Sequence, residues 1–280
     1  MKVNRYAAGL LAAGILLTGL GGCAGGAPEN SPAPPSASIF AGPVQTPEEP
    51  TAPPEKTETP APSAQEKTFA ELAPTTTMEF AELVGDNGIY EIPEKFPEKG
   101  TYKVVVDIYH QVVLVYSRDE SEEYTVPERY MICTTGSEET PTPLGTFSAE
   151  DHRVRFKKFD IDDVYAQYWT QITGEIYFHS LLYTQKDASA YTAKSYKKLG
   201  ERDSHGCIRL LVPDARWLFY HIAPGTDIEI REGSEEDRET AKIKEQLTRP
   251  SLPETRPTLE PGKIPDTDTW TIQELKEKLG

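Results

Sequence analysis

Short apolar runs rich in β-branched residues dominate the middle of the chain. The runs over residues 102–108 and 111–116 lie close together, and this spacing predicts a β-hairpin. A third strand is expected over residues 124–133, where Pro127 indicates an edge position or a bulge near the start of the strand. Shorter strands are predicted over residues 147–149, 176–178 and 226–230. The pattern therefore predicts a mainly β domain.

One segment of this region has the pattern of a helix. Residues 213–222 begin with a proline, carry an acidic residue in the first turn and end before a Pro-Gly pair. Trp217, Leu218 and His221 fall on one face of this helix at helical spacing. We therefore expect His221 to be a packed or capping residue and not a reactive one.

The flanks of this region are polar and rich in proline. The chain has 280 residues and 24 prolines, and hydrophobic residues make up 37% of it. Residues 23–76 are mostly Pro, Ala, Thr, Ser and Glu, which cannot bury a core, so we expect a disordered tether there. A transitional segment over residues 77–100 leads into a domain over residues 101–232. A polar tail over residues 233–280 follows, and Trp270–Leu279 within it has the pattern of a short helix.

The charge of the chain excludes one class of function. The net charge is −16, from 29 basic and 45 acidic residues. No basic stripe of the kind that nucleic-acid binding needs is visible, so we expect no nucleic-acid partner. We expect a monomer, extended at both ends by acidic flanks.

The amino terminus has the features of an export signal. Lys2 and Arg5 precede an apolar run over residues 7–20, which is too short to span a bilayer of roughly 30 Å. The sequence Leu-Gly-Gly before Cys23 resembles a bacterial lipoprotein signal. That resemblance implies removal of residues 1–22 and lipid attachment to Cys23, which would anchor the protein to the membrane outside the cytoplasm, facing the cell wall. An ordinary signal with a chance cysteine, or an uncleaved anchor, remains open.

Three separated motifs carry the chemistry of the chain. The first is Ser-His-Gly-Cys-Ile-Arg-Leu over residues 204–210, and the second is His179 followed by Ser180. The third combines residues 133–136 with Thr-Pro-Leu-Gly-Thr-Phe over residues 142–147. In their order along the chain, residues 133–147, then His179, then residues 204–210, the motifs closely resemble the L,D-transpeptidase catalytic domain (YkuD-like) family of peptidoglycan cross-linking enzymes. The resemblance implies a β-sandwich or barrel-like domain over residues 101–232, with one or two short helices.

A thiol nucleophile needs a nearby base, because only the thiolate attacks a carbonyl and a free cysteine is mostly protonated at neutral pH. Cys207 is the candidate nucleophile and His179 the candidate general acid and base, brought together by the fold. A third group should fix the tautomer of the imidazole. The family resemblance assigns this role to Ser180, acting through its backbone carbonyl.

The remaining motif residues are candidates for substrate contacts. Gly206 allows a sharp turn, and the N–H groups of Gly206, Cys207 and His205 are candidates for an oxyanion hole. Arg209 has a planar fork suited to a substrate carboxylate, and Ser204 is a further candidate for substrate binding.

The family resemblance implies a two-step acyl transfer on peptidoglycan stem peptides. The Cys207 thiolate attacks the third residue of a tetrapeptide stem, D-Ala leaves, and an amine of a second stem resolves the thioester into a 3→3 cross-link. No cofactor and no metal are expected. Water as the acceptor would instead give an L,D-carboxypeptidase. A non-catalytic wall-binding lipoprotein is the rival that is not an enzyme.

Several expectations concern the surroundings of these motifs. A zinc site built from His179, His205 and Cys207 is disfavoured because no fourth ligand is apparent. An even number of cysteines permits a disulfide between Cys133 and Cys207, but the motif around Cys207 favours a free thiol and Cys133 is expected to face the core.

The 24 residues between His179 and Ser204 form a longer gap than is usual in the family, and we expect them to lengthen a loop over the cleft. The two histidines outside any motif, His110 and His152, are expected to be exposed.

Overall fold

The computed structural model describes residues 66–88, 96–259, 268–269 and 271–279. The export signal, the lipidation site at Cys23 and the tether up to residue 65 lie outside these residues, and so the expectations for them stay predictions. Within the described ranges, no helix has the length and apolar character needed to cross a membrane.

The described part of the chain is mainly β, as the sequence predicts. The strands are β1 (Tyr102–Asp107), β2 (Val112–Arg118), β3 (Tyr124–Thr134), β4 (Gly145–Ser148), β5 (Arg153–Lys158), β6 (Tyr165–Thr173), β7 (Ile176–His179), β8 (Leu182–Tyr183), β9 (Ile208–Leu210), β10 (Asp227–Arg231) and β11 (Asp268–Thr269). The helices are α1 (Phe69–Leu72), α2 (Phe80–Val84), α3 (Ala193–Lys197), α4 (Val212–His221), α5 (Arg238–Gln246) and α6 (Ile272–Leu279), with 3-10 turns at Pro74–Thr76 and Ala188–Ala190. Two of these helices, α3 and α4, lie within residues 101–232, which agrees with the one or two short helices expected for that domain, and the other four lie in its flanks.

The strands form one hydrogen-bonded path in the order β11-β5-β6-β7-β9-β3-β2-β1-β10-β4, with β8 paired to β6. The predicted hairpin is confirmed, because β1 and β2 are antiparallel neighbours. Strand β3 joins the two halves of the path: it pairs with β2 along most of its length and with β9 at Cys133 and Thr134. This connection places the motif strands next to the most apolar strands of the domain.

A bulge interrupts β3 where the sequence predicts one. Val115 of β2 pairs with Arg129, but the next residue of β2, Tyr116, pairs with Pro127. Glu128 is therefore the extra residue of a β-bulge. Proline has no N–H to donate to a ladder, which is why it favours such an irregular position.

Helix α4 confirms the predicted helix and the structural role of His221. Pro213 lies in its first turn, and Asp214 is fully buried there against the Arg129 guanidinium at 2.8 Å. The His221 ring stacks on the Trp217 ring with 4.4 Å between centroids. The Nδ1 of His221 also lies 2.8 Å from the Trp217 carbonyl. These contacts occupy His221 inside its own helix.

The flanking segments are more ordered than their composition suggests. Helix α1 lies within the segment expected to be a tether; Thr68 and Glu71 form its capping box, and Leu72 is buried. In the tail, α5 was not predicted; Ile243 and Leu247 bury its apolar side. Each helix is short and anchored by one or two apolar residues, and hydrophobic periodicity cannot detect so weak a pattern.

Candidate active site

Two parallel strands bring the motif residues together. Strands β7 and β9 pair in register, with Phe178 opposite Ile208 and His179 opposite Arg209. Because side chains alternate along a strand, His179 and Arg209 share a face with residues two positions earlier. Those residues are Tyr177 and Cys207, and all four side chains line one cavity of about 260 Å³. The structure thus brings Cys207, His179 and Arg209 into one site.

Another part of the cavity wall comes from the β5–β6 hairpin and the residue before it. They contribute His152, Val154, Lys157, Lys158, Phe159, Asp160, Ile161, Asp162, Val164 and Trp169. The rings of Phe159 and Trp169 lie 5.2 and 5.5 Å from the His179 ring between centroids. Sequence reasoning missed this wall, because its residues form no motif and their apolar pattern is broken by buried polar side chains such as Arg155 and Gln167.

The imidazole of His179 is held in one orientation. Its Nδ1 lies 2.6 Å from the Ser180 carbonyl oxygen. In the neutral ring Nδ1–H therefore donates to that carbonyl, and Nε2 is left as the proton acceptor. Burial and the nearby Arg209 charge lower the pKa of His179 to about 3. The resting imidazole is neutral and able to accept a proton.

Ser180 contacts His179 through its backbone and not through its hydroxyl. The Ser180 hydroxyl accepts the Gln167 N–H at 2.8 Å and donates to the Leu181 carbonyl at 2.9 Å. The hydroxyl thus joins the segment after β7 to β6. The side chain supports the strand frame, and the carbonyl orients the ring.

The Cys207 thiol is neutral in the resting structure. Burial raises its pKa to about 11, and the Tyr177 backbone N–H offsets only part of that effect. Its Sγ donates to the Glu175 carbonyl oxygen at 3.4 Å. The cavity thus holds a neutral thiol together with a neutral imidazole, and not a thiolate–imidazolium pair.

This protonation state predicts the pH dependence of Cys207 alkylation. The thiol pKa is raised above its usual range, so the thiolate is scarce near pH 7 and increases as pH rises. We expect the iodoacetamide rate to rise about tenfold per pH unit from pH 7 to 9 without a plateau. The rate is read by mass spectrometry on the peptide that contains Cys207. A plateau at or below pH 7 would instead show a stable thiolate–imidazolium pair.

The loop that carries Cys207, residues 204–207, is closed by hydrogen bonds of its own. The Ser204 hydroxyl donates to the Cys207 carbonyl at 2.6 Å and accepts the Gly206 N–H at 3.2 Å. Gly206 has φ +113°, and a Cβ there would lie 3.0 Å from Ile176 Cδ1. The Gly206 N–H that was expected to face an oxyanion is therefore engaged with Ser204. The Ser204 hydroxyl, a candidate for substrate binding, is likewise committed to the loop.

The third motif supports this loop from behind. The Thr142 hydroxyl donates to the Gly206 carbonyl at 2.8 Å and accepts the Gly136 N–H at the same distance. The Thr140 hydroxyl donates to the Ser204 carbonyl at 3.0 Å. A Cβ on Gly136 would lie 2.2 Å from the Thr140 carbonyl, so only glycine fits that turn. The motif acts on the site through the backbone of the Cys207 loop.

Replacing Thr142 with valine keeps the shape of the side chain and removes both of its hydrogen bonds. The buried partners, Gly206 O and Gly136 N–H, would then be unsatisfied. We expect the free energy of unfolding to fall by about 1–3 kcal/mol, measured by urea denaturation. We also expect turnover to fall by more than tenfold because the Cys207 loop shifts. In the matched control, Thr184→Val, an exposed threonine is changed, and stability should stay within about 0.5 kcal/mol. Equal losses in the two variants would contradict this role of Thr142.

The His205 side chain points out of the loop toward the turn between β5 and β6. Its side chain is 64% exposed, and its Nδ1 lies 3.3 Å from Asp162 Oδ2. No group of three or more His, Cys, Asp or Glu side chains in the described residues is arranged to hold a metal ion. The geometry therefore gives the zinc alternative no support.

The long segment between His179 and Ser204 does not cover the cavity, contrary to expectation. None of its residues from 183 to 203, all of them described, lines the cavity wall. Tyr191 and Tyr196 pack on Phe80 of α2 at 5.5 and 4.8 Å between ring centroids. The Tyr183 hydroxyl donates to the Val84 carbonyl at 2.6 Å. The insertion is part of the core that holds the amino-terminal helices.

The expectations for the cysteines are confirmed, and those for His110 and His152 are wrong. Cys133 is fully buried, and burial raises its pKa to about 12. Cys133 and Cys207 are both free thiols, as expected. His110 and His152 are buried and not exposed. His110 contacts Asp107 at 2.9 Å, and His152 reaches the Tyr177 hydroxyl at 3.0 Å within the cavity wall.

Comparisons with known proteins place this chain in a family. Residues 101–230 match the L,D-transpeptidase catalytic domain family, YkuD. The chain is 32% identical over 142 residues to the L,D-transpeptidase candidate YciB of Bacillus subtilis (strain 168), an alignment that covers 49% of this chain and 70% of YciB.

Two solved structures extend the comparison. A fused zinc-dependent amidase, peptidase and peptidoglycan-binding protein of Clostridium acetobutylicum ATCC 824 is 28% identical over 47% of this chain, with a TM-score of 0.36. An L,D-transpeptidase of Mycobacterium smegmatis is 22% identical over 47% of this chain, with a TM-score of 0.38. The chain spans 52% and 58% of the length of these two proteins. On the match to the family and to YciB, the chain belongs to the L,D-transpeptidase catalytic domain (YkuD) family.

Proposed function

We propose that this chain is a cysteine-dependent peptidoglycan L,D-transpeptidase that forms 3→3 cross-links. One observation carries the proposal: His179 at the end of β7 and Cys207 just before the paired strand β9 line one cavity. The Ser180 carbonyl fixes the imidazole so that Nε2 is free to take a proton. Nucleophile, base and orienting group are the minimum set for thiol acyl transfer.

In the first step, Cys207 Sγ attacks the carbonyl carbon of the third residue of a tetrapeptide stem. His179 Nε2 takes the thiol proton as the new C–S bond forms. The C–N bond to the fourth residue then breaks, and His179 returns the proton to the leaving amine. D-Ala departs and a thioester remains on Cys207.

In the second step, an amine of a neighbouring stem attacks the thioester and passes its proton through His179 to the departing sulfur. An amide forms, and the free thiol is restored. Backbone N–H groups of His205 and Cys207 are the candidates to hold the oxyanion, since the Gly206 N–H bonds the Ser204 hydroxyl. Water in place of the amine would give an L,D-carboxypeptidase.

The purified full chain, incubated with a disaccharide-tetrapeptide, tests the proposal by mass spectrometry of protein and products. A thioester adduct on the protein and a cross-linked dimer in solution would support transpeptidation. A tripeptide without a dimer would support the carboxypeptidase and contradict the transpeptidase. Neither product nor adduct would favour a wall-binding protein without turnover.

We also propose that the protein is exported and held at the outer face of the membrane by lipid on Cys23. The support is the sequence Leu-Gly-Gly before Cys23 after an apolar run. In a bacterial host, the wild type should partition into the detergent phase of Triton X-114. The Cys23→Ser variant should partition into water, because it has no thiol to carry the lipid whose buried methylenes supply the anchoring. A wild type found in the aqueous phase, with no lipid mass on Cys23, would contradict the anchor.

A further inference from the structure

Arg209 lies at the base of the cavity, beside both reacting side chains. It is the register partner of His179 across the β7–β9 ladder. Its charge acts on Cys207, which precedes β9 by one residue, as well as on His179. Only 5% of Arg209 is exposed, although its side chain forms part of the cavity wall. A ligand that reaches Cys207 is therefore within reach of this cation.

The protein compensates the charge of Arg209 only in part. Its Nη1 lies 3.5 Å from Asp203 Oδ2, and Lys194 approaches the other oxygen of that carboxylate at 3.9 Å. Arg209 Nε is buried and has no hydrogen-bond partner among the described residues. A guanidinium has five donors, and buried donors are nearly always satisfied. The unpaired Nε–H donor and the partly compensated charge of Arg209 indicate that an anionic ligand completes the site.

The same cation weakens His179 as a base in the empty site. After burial, the Arg209 charge is the next cause of the lowered pKa of His179. A ligand carboxylate placed against Arg209 would offset that charge. It would raise the pKa of His179 from its low resting value and favour the imidazolium that attack by Cys207 creates.

The acidic residues of the cavity wall limit where a ligand carboxylate can bind. Asp160, Asp162 and Glu175 lie around the cavity and would repel it. Lys158 on the same wall is paired with Asp163 at 2.7 Å, and Lys157 also lies there. At the base of the cavity, next to Cys207, the cation is Arg209.

The proposed reaction supplies such a carboxylate close to the attacked carbon. In a tetrapeptide stem, the C-terminal carboxylate belongs to the residue that leaves. Standard bond lengths place its carbon about 3–4 Å from the attacked carbonyl carbon, closer than the carboxylates of other stem residues. The identity of this carboxylate rests on the proposed function.

We propose that Arg209 binds the free carboxylate of the leaving residue, and that this ion pair makes His179 an effective base. The site then recognises the terminal carboxylate of the stem, and the thiol is activated only when that carboxylate is bound. Departure of the leaving residue removes its carboxylate and returns Arg209 to its resting state. A stem without a free carboxylate at that residue would be a poor donor.

The test compares two donors, a disaccharide-tetrapeptide ending in D-Ala and the same molecule ending in D-Ala amide. Acylation of the full chain is followed by intact-protein mass spectrometry with the wild type, Arg209→Gln and Arg209→Lys. For the wild type we expect kcat/KM to be on the order of 100-fold higher for the acid than for the amide. Arg209→Gln should bring this ratio near one, and Arg209→Lys should restore part of it.

The ratio is measured within each variant, so a general loss of stability does not change it. Equal wild-type rates for acid and amide would overturn the inference and leave the proposed function intact. Loss of the ratio in Lys157→Gln, but not in Arg209→Gln, would also overturn it, with Lys158→Gln as the matched control on the same wall. No reaction of the wild type with either donor would instead count against the proposed function itself.

Discussion

Replacing Cys207 with alanine is expected to abolish both the thioester adduct and the cross-linked product. In the proposed mechanism thiol attack splits the reaction in two, and Cys207 is the only cysteine among the described residues that line the cavity. We expect turnover of a disaccharide-tetrapeptide to fall by on the order of 10⁴-fold or more, measured as product per unit time. Cys207→Ser should be nearly as inactive, since a serine hydroxyl is far harder to deprotonate than a thiol.

Cys133 provides the matched control for this result. It is the second cysteine of the domain, but it is fully buried in β3 and pairs in the ladder with Leu210. Cys133→Ala should keep turnover within a few fold and cost on the order of 1 kcal/mol in the free energy of unfolding. A Cys207→Ala protein that still formed the adduct or the product would contradict the assignment of the nucleophile.

Replacing His179 with glutamine is expected to lower kcat by on the order of 10²- to 10⁴-fold, with a smaller change in KM. Glutamine can keep a hydrogen bond to the Ser180 carbonyl, but it cannot take the thiol proton. The dependence of the acylation rate on pH should also change. With the base removed, the remaining acylation should rise with pH as the Cys207 thiolate forms, because burial raises the pKa of this thiol to about 11.

His221→Gln separates this effect from a general loss of histidine. His221 stacks on Trp217 within α4 and is not part of the cavity wall. Its replacement should change the free energy of unfolding and leave the pH profile of turnover in place. A His179→Gln protein with the wild-type profile would show that another group accepts the thiol proton.

The parts of the fold with local signals could be predicted from the sequence. The β1–β2 hairpin, the bulge at Glu128 and helix α4 all follow from residues close together in the chain. Strands β5 and β6 could not be predicted in this way, because buried polar side chains break their apolar pattern. Arg155 is fully buried, yet it pairs with Asp86 at 3.3 Å and packs on the Tyr168 ring. The partner that satisfies this arginine is distant in the chain, so the local pattern looks like solvated surface.

In the candidate site, too, the residues with a local motif could be predicted, and those positioned only by the tertiary structure could not. The motifs identified Cys207, His179 and Arg209, and the fold places all three in one cavity. The wall around Phe159 and Trp169 was missed, because it has no motif and depends on the β5–β6 hairpin. The hydrogen bond from the Gly206 N–H to Ser204 is equally invisible in sequence, since it depends on how the loop turns.

The ladder between β7 and β9 makes the position of the site residues independent of the length of the chain that connects the two strands. His179 and Arg209 are held opposite each other by backbone hydrogen bonds, while the chain between them pairs briefly with β6 through β8 and then packs on the amino-terminal helices. Residues can be added to that crossover for a small entropic cost without changing the spacing of the reacting groups. This region can therefore diverge in length and acquire new contacts, under far weaker constraint than the two short strands it connects.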